Sequence, residues 1–390
     1  MPGFRINGNT PSAMTLHAPQ SLSSRGGTIR AVESRDFAEV AALFQRTFRD
    51  PSTPPPPSLA HYMQDIFLGH PWLDEGSRSK VYLNADGAVT GFIGIVPVRM
   101  MLGDRPVTAA YAGSYMVDRP HDNPLAGARL LRAFLSGPQD LFVSETANAT
   151  ALGMWQKLGH RMEPAYSLNW IRIFKPANTG IDVLARKFGA ARLARPVAGA
   201  FDWLMDRAMK GPLRPHEPDS RRFRAEDADI DMLKEALGQL SRSFTLRPDW
   251  SSATLDWLLK HASQKKLFGD MHGRVLRYPD GTPAGCSIYF GRPNGIAWAL
   301  QVLATPDANE AVVDDMFHDA WRRGFAAIRG NGDREVLPVV MRRKALLFSR
   351  SSMLVSSRDP AILAEIRSGR SIVTGLGGES WCRLVGDRFA

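Results

Sequence analysis

The chain has 390 residues, 44% hydrophobic and 23% charged, so it can bury ordinary cores, is not globally disordered and is too long for one ordinary domain. An excess of 49 Lys and Arg over 39 Asp and Glu gives a formal charge of +10, which favours polyanionic partners: nucleotide phosphates, an acidic carrier protein, nucleic acid or an anionic membrane surface. Two isolated cysteines, Cys286 and Cys382, exclude a disulfide framework; no CxxC or HExxH spacing suggests a metal, no apolar run reaches the roughly 18 residues of a membrane span, and no basic run interleaved with aromatics favours nucleic acid.

Residues 1–27 are rich in Ser, Pro and Gly without periodicity and read as a flexible tail lacking a signal-peptide core, which makes the cytoplasm the expected compartment. Ile29-Arg30-Ala31 opens a strand, and Phe37 to Phe48 follow with helical apolar spacing. Four consecutive prolines within Thr53–Ser58 cannot be helix interior, and Leu59–Phe67 regains helical spacing. Asp86-Gly87 marks a hairpin turn, with Gly91 in the next strand. Then come an apolar strand over Thr108–Val117, a loop Asp118–Leu125, a helix Ala126–Leu135, a strand Asp140–Ser144 and a helix closed by Leu158-Gly159. Gly180–Arg214 reads as one or two helices, and the three prolines of Pro212–Ser220 as a connector.

The second half repeats this plan. Phe223-Arg224-Ala225 opens a strand, a helix follows around Ile230–Leu240, and Asp280-Gly281 with Gly285 repeats the hairpin. Arg30 to Asp86 and Arg224 to Asp280 span the same 56 residues, which points to a duplicated unit. The expected fold class is α/β (α+β): two tandem domains, each a mixed, mostly antiparallel sheet flanked by helices. The expected boundaries are 28–175 and 220–390, joined by a helical connector, 176–219.

One segment carries a family resemblance. Asn148-x-x-Ala151-x-x-x-Trp155-x-Lys157-Leu158-Gly159 resembles the pattern N-x-x-A-x-x-x-Y-x-K-L-G-F of the GCN5-related N-acetyltransferase (GNAT) superfamily. The strand, loop and helix expected upstream of it are in place, and Ile29–Phe48 resembles the family's opening strand and helix. The resemblance covers about 145 residues of the first half.

It implies a cleft in which two central strands splay apart around the pantetheine arm of acetyl-CoA or another acyl-CoA. The pyrophosphate would lie on amides at a helix N-terminus. The family's Q/R-x-x-G-x-G/A loop aligns with Asn123-Pro124-Leu125-Ala126-Gly127-Ala128, so Asn123, Ala126, Gly127 and Ala128 become the cofactor-loop residues. Asn replaces Gln/Arg, Ala126 replaces the first glycine, and Pro124 has no amide to donate. Amides near Met116 and Val117 would polarise the thioester carbonyl, and Asn148 would bond the pantetheine arm; a helix N-cap is its plainer reading.

Trp155 lines this expected cleft where many family members carry the tyrosine acid, and an indole N–H cannot fill that role. The acid and base therefore fall to Tyr111, Tyr115 and Glu145. The two tyrosines, four apart on one strand, are expected to project from the same side, and Glu145 ends the next strand.

The second half lacks the motif. Its strand Ala297–Ala304 leads into Thr305–Glu310, which has no glycine and two carboxylates where phosphates would sit. Gly375-Leu376-Gly377-Gly378 reads as a turn. This copy is expected to have lost its cofactor site and to shape the acceptor pocket, close the cleft or dimerise. The function implied is transfer of an acyl group from acyl-CoA to a small-molecule, amino-sugar or peptide amine. The alternatives are a transferase fed by an acyl carrier protein or by charged tRNA, and a non-catalytic binding or scaffold protein.

Overall fold

A computed structural model describes residues 27–121, 123–187, 195–208, 214–217 and 220–389. All of the expected tail, 1–27, except Gly27, and parts of the connector lie outside these residues. In chain order the strands are β1 (Thr28–Ala31), β2 (Lys80–Leu83), β3 (Val89–Leu102), β4 (Arg105–Val117), β5 (Leu141–Ala147), β6 (Arg161–Met162), β7 (Leu168–Ile173) and β8 (Arg224–Asp227). They continue with β9 (Leu246–Pro248), β10 (Asp270–Arg277), β11 (Pro283–Gly291), β12 (Ile296–Ala304), β13 (Ala327–Asn331), β14 (Leu346–Ser349) and β15 (Ser352–Ser357).

These elements follow local physical rules. In the helix Phe37–Phe48, Phe37, Val40, Ala41, Leu43 and Phe44 are buried on one face, the spacing an amphipathic helix needs. The proline run ends with Pro57 in the first turn of the helix Pro57–Leu68, where a missing N–H costs nothing. Gly87 and Gly281 both take positive φ, 82° and 90°, as their hairpin turns require. In β3 every residue from Gly91 to Val98 is buried; both of its faces are covered by packed layers.

Two sheets result, in the orders β1-β2-β3-β4-β5-β15-β6 and β14-β7-β13-β12-β11-β10-β8, with β9 pairing β3 off the first path. Each contains one parallel pair, β4 with β5 and β12 with β13. The repeat seen in sequence is thus a repeat in space: β1 to β5 are matched by β8 and β10 to β13. The closing strands are exchanged. β7 follows the first sheet in sequence but pairs with β13 and β14 of the second, while β15 pairs with β5 and β6 of the first. Each sheet is completed by a strand from the other half of the chain, so the two sheets are tied into one body. The largest apolar cluster accordingly joins Val40, Phe67 and Tyr111 from the first half to Leu258, Trp298 and Trp381 from the second.

After the helix Pro360–Ser368 the chain does not run out over the surface. Residues Ser371 to Cys382 are buried without interruption, passing between the sheets. The glycine turn expected there does form, as a short 3-10 turn over Gly375–Gly377, but it lies buried in the middle of the molecule.

Candidate active site

β4 and β5 pair only from Ala109 with Leu141 to Tyr111 with Val143, and then separate. A cavity of about 400 Å³ occupies the divergence. It is lined by Gly113, Ser114 and Tyr115 of β4, Ser144, Thr146 and Ala147 of β5, and Asn148. Phe44 and Phe67 close one side, Phe268, Trp298, Arg329 and Asn331 of the second half another, and Glu379, Ser380 and Cys382 of the C-terminal segment a third.

A β-bulge shapes this wall. Phe92 faces Met116 and Gly94 faces Gly113, so Ser114 and Tyr115 together oppose the single residue Ile93. Ser114 takes a positive φ of 52°. The extra residue inverts the in–out alternation downstream of it. Tyr111 and Tyr115 therefore fall on opposite faces, against the expectation drawn from their spacing. Tyr111 is fully buried, and its hydroxyl donates to the Val373 carbonyl at 3.1 Å. Tyr115 points toward the helix Ala149–Lys157 and donates to Met154 Sδ at 2.8 Å. Burial raises the pKa of both phenols.

Glu145 does not line the cavity. Its carboxylate is buried and accepts from the backbone N–H groups of Gly375 (3.1 Å), Glu379 (2.7 Å) and Ser380 (3.0 Å), from Ser380 Oγ (2.5 Å) and from Asn331 Nδ2 (3.3 Å). All of these are donors, which is the environment of an anchored carboxylate rather than of a base with a free lone pair. Burial pushes its pKa up and the donors oppose that shift.

The carboxyl that does face the cavity is Glu379, which sequence reading missed. Its Oε1 accepts from Thr146 N (3.2 Å) and Thr146 Oγ1 (2.8 Å). Its Oε2 lies against the Cα of Gly113, where an added Cβ would sit 3.2 Å away. Burial, reinforced by the neighbouring Glu145, pushes its pKa up to about 8. Lys265, buried below, donates to the carbonyls of Ser380, Cys382 and Val385 at 2.8–2.9 Å and clamps the same segment; burial lowers its pKa to about 8. The one sequence signal for this site was three glycines in four positions just before Glu379. Such a run lets backbone approach backbone, and Gly378 indeed has Glu145 Oε2 where its Cβ would be, at 2.3 Å.

Of the residues expected to hold a cofactor, only Asn148 lines the cavity. Its Oδ1 caps the helix by accepting from Ala151 N at 2.9 Å. Met116 is buried in the core and Val117 packs against the opposite cluster. Trp155 is buried against Phe134 and His160, away from the cavity. Asn123 donates to Tyr82 Oη at 2.8 Å, so its side chain is committed to fixing the loop. Ala126 and Gly127 are buried and Ala128 half-buried at the start of the helix Ala126–Leu135, which no side chain caps. An added Cβ at Gly127 would lie 2.7 Å from Met154 Cε and 2.8 Å from Tyr115 Oη. The glycine thus lets the helix start meet the Tyr115–Met154 pair, which stands between it and the cavity.

The second sheet also diverges, beyond Ala299 and Gly330, but its opening is filled from within. Leu376 N donates to Gln301 Oε1 at 3.0 Å. Gly375 lies so close to β12 that an added Cβ would be 2.2 Å from the Leu300 carbonyl oxygen. The loop carboxylates expected to repel phosphate are themselves partnered: Asp307 accepts from Tyr278 and Arg222, and Glu310 from Arg342 and Arg343. Cys286 and Cys382 are buried free thiols, and among the described residues no group of His, Cys, Asp and Glu could hold a metal.

No protein-family model matches the sequence, and no curated protein matches it significantly. Solved structures do resemble the fold. A GCN5-related N-acetyltransferase from Anabaena variabilis superposes with a TM-score of 0.55 at 11% identity, over 86% of this chain and 74% of that one. A conserved protein from Enterococcus faecalis, described as a "Probable N-Acyltransferase", gives 0.54 at 10% identity over 85% and 73%. A GCN5-related N-acetyltransferase from Kribbella flavida gives 0.51 at 12% identity over 87% and 73%. With its repeated sheet, its parallel pair that splays and its bulged β4, this chain has the GCN5-related N-acetyltransferase fold, present twice in tandem.

Proposed function

We propose that the chain is an acyltransferase that moves an acetyl or longer acyl group from acyl-CoA to an amine, in a ternary complex within the β4–β5 divergence. The observation that carries this reading is Glu379: a buried carboxyl of near-neutral pKa, facing a cavity beside the β4 bulge. A base poised near the working pH is what removal of a proton from an ammonium needs.

In this reading the amine nitrogen attacks the thioester carbonyl carbon, the C–S bond breaks, and the ammonium proton passes to the ionised Glu379. Amides of the bulged residues Ser114 and Tyr115, which line the cavity, would face the developing oxyanion, with Val117 beyond them, while Met116, paired with Phe92 of β3, supports the strand. Tyr115 is the candidate acid for the leaving thiolate; Tyr111 and Glu145 are positioning residues that hold the C-terminal segment. Asn148, at the mouth of the helix Ala149–Lys157, meets the pantetheine arm. The pyrophosphate rests on the amides of Gly127 and Ala128 with Asn123 and Ala126 shaping the loop, and Trp155 supports the cleft from behind. The thioester itself supplies the activated acyl group.

Neither a carrier-protein donor nor a homodimer gains support from the described residues. A second reading, a non-catalytic binding protein, is favoured by the Tyr115–Met154 contact, which narrows the route from helix start to cavity. Thermal unfolding with acetyl-CoA, longer acyl-CoAs and free CoA separates the two. The transferase reading expects the midpoint to rise by several degrees at saturation; no shift with any of them contradicts it.

A further inference from the structure

Of the twelve large hydrophobic side chains exposed among the described residues, six lie on one helical hairpin: Val183, Leu184, Val197, Phe201, Trp203 and Leu204. The hairpin pairs the helix Pro176–Lys187 with the helix Arg195–Ala208. Its attachment to the body is already satisfied. Thr179 Oγ1 donates to the Ala326 carbonyl of the body at 3.1 Å, and the two helices are tied to each other by the Asp202 carboxylate, which accepts from Ala177 N (2.8 Å), Asn178 N (2.9 Å) and Asn178 Nδ2 (2.7 Å). Ala198 and Asp202 mark the inward face of the second helix. Val197, Phe201 and Leu204, at i, i+4 and i+7, form a stripe on the outward one, where a surface helix ordinarily carries charge. Trp203 projects to a further side and is about two-thirds exposed.

By sequence this stretch of the chain is cationic. Residues 176–214 contain seven Lys and Arg against three Asp, and two of those three, Asp182 and Asp202, are buried. Arg207 lies with its guanidinium 5.7 Å from the Trp203 ring centroid, an aromatic–cation pair suited to an interface between apolar and polar phases. A second copy of the chain would bring the same positive charge to the contact, which is repulsive. A rigid acidic protein would cover one face, whereas the exposed apolar groups occupy more than one side of the helix. A fluid anionic surface accepts both features: aromatic and aliphatic groups enter the boundary of the acyl chains, and cations meet the phosphates. None of the described helices is long and apolar enough to cross a membrane, so this would be surface attachment.

We propose that the hairpin 176–208 docks the protein on an anionic lipid bilayer, with Phe201, Trp203 and Leu204 inserted at the interface and Arg207 among the headgroups. The test is co-sedimentation of the full chain with vesicles of phosphatidylcholine alone and of an equimolar phosphatidylcholine–phosphatidylglycerol mixture. The wild type is expected to pellet with the mixed vesicles and much less with the neutral ones, and added salt should release it. The triple variant Phe201→Ser, Trp203→Ser, Leu204→Ser should lose about tenfold or more of this binding, and Arg207→Gln about fivefold. Should the triple variant unfold, Arg207→Gln and the salt dependence still decide. No wild-type binding to mixed vesicles, or equal binding by the variants, overturns the proposal. So does sedimentation equilibrium showing a dimer that the triple variant abolishes, because the patch is then covered by a second copy. Acyl transfer plays no part in these readouts, so the docking proposal and the catalytic one fail separately.

Discussion

Tyr115 donates to Met154 Sδ at 2.8 Å across the space between β4 and the helix Ala149–Lys157. The contact separates the uncapped start of the helix Ala126–Leu135 from the central cavity, and Gly127 leaves just enough room for it. If a pantetheine arm runs from that helix start to Glu379, the two side chains must part. Met154→Ala removes one leaf of this contact and is expected to lower KM for acyl-CoA several-fold with kcat little changed. Tyr115→Phe keeps the packing and removes the proton, so kcat should fall about 10- to 100-fold while KM holds. Steady-state kinetics of the two variants distinguish gate from acid.

Glu379 sets the expected pH dependence. Its active form as a base is the carboxylate, and its pKa lies near 8, so kcat/KM should rise through pH 7 to 8 and level above. Glu379→Gln should cost about 100- to 10,000-fold in turnover and abolish that rise, with the acyl-CoA-induced thermal shift retained. A pH–rate profile of wild type and variant checks both.

The same group affects stability in the opposite sense. Folding raises its pKa from an ordinary 4.5 to about 8, so the folded state holds the proton more tightly. Its contribution to stability is full below pH 4.5 and is lost as pH rises through 8. Denaturant unfolding from pH 5 to 9 should show wild-type stability declining over this window and the decline reduced in Glu379→Gln.

Glu145 is expected to behave as an anchor. Glu145→Ala strips the partner from three buried backbone N–H groups and a serine hydroxyl, and hydrogen bonds to a charged group contribute about 1.5–3 kcal/mol each in favourable cases. The expected loss is about 3 kcal/mol or more of unfolding free energy, read by denaturant titration. A large activity loss with unchanged stability would return Glu145 to the list of bases.

Gly375 tests whether the second opening is filled as described. It has a positive φ of 67°, and a Cβ would collide with the Leu300 carbonyl oxygen. Gly375→Ala should destabilise by about 1–3 kcal/mol, whereas Gly153→Ala, with open space around it, should be neutral or mildly stabilising through helix propensity. Their thermal midpoints make the comparison.

The repeat was legible because it rests on local signals: Asp-Gly turns and amphipathic helices at equal spacing, which recur as β2–β3 and β10–β11 hairpins. The exchange of β7 and β15 was not legible, since pairing partners far apart in sequence leave no mark on either strand's own pattern. The bulge at Ser114 was hidden for a related reason: one unpaired residue inverts the facing of Tyr115 without altering the apolar run around it. Glu379 escaped notice because its burial is created by elements from both halves, while Asn148, expected at the pantetheine arm with a helix cap as the alternative, sits at the cavity and does cap its helix.

The proposed function places acyl-CoA in the β4–β5 divergence with its thioester beside Glu379. A crystal structure of the Glu379→Gln variant grown with acetyl-CoA tests it most directly. The expected result is the pantetheine arm along Gly113–Val117, with Tyr115 and Met154 moved apart and the thioester within reach of residue 379. Acetyl-CoA bound elsewhere, or no binding at saturating concentration with the Tyr115–Met154 contact intact, would contradict it.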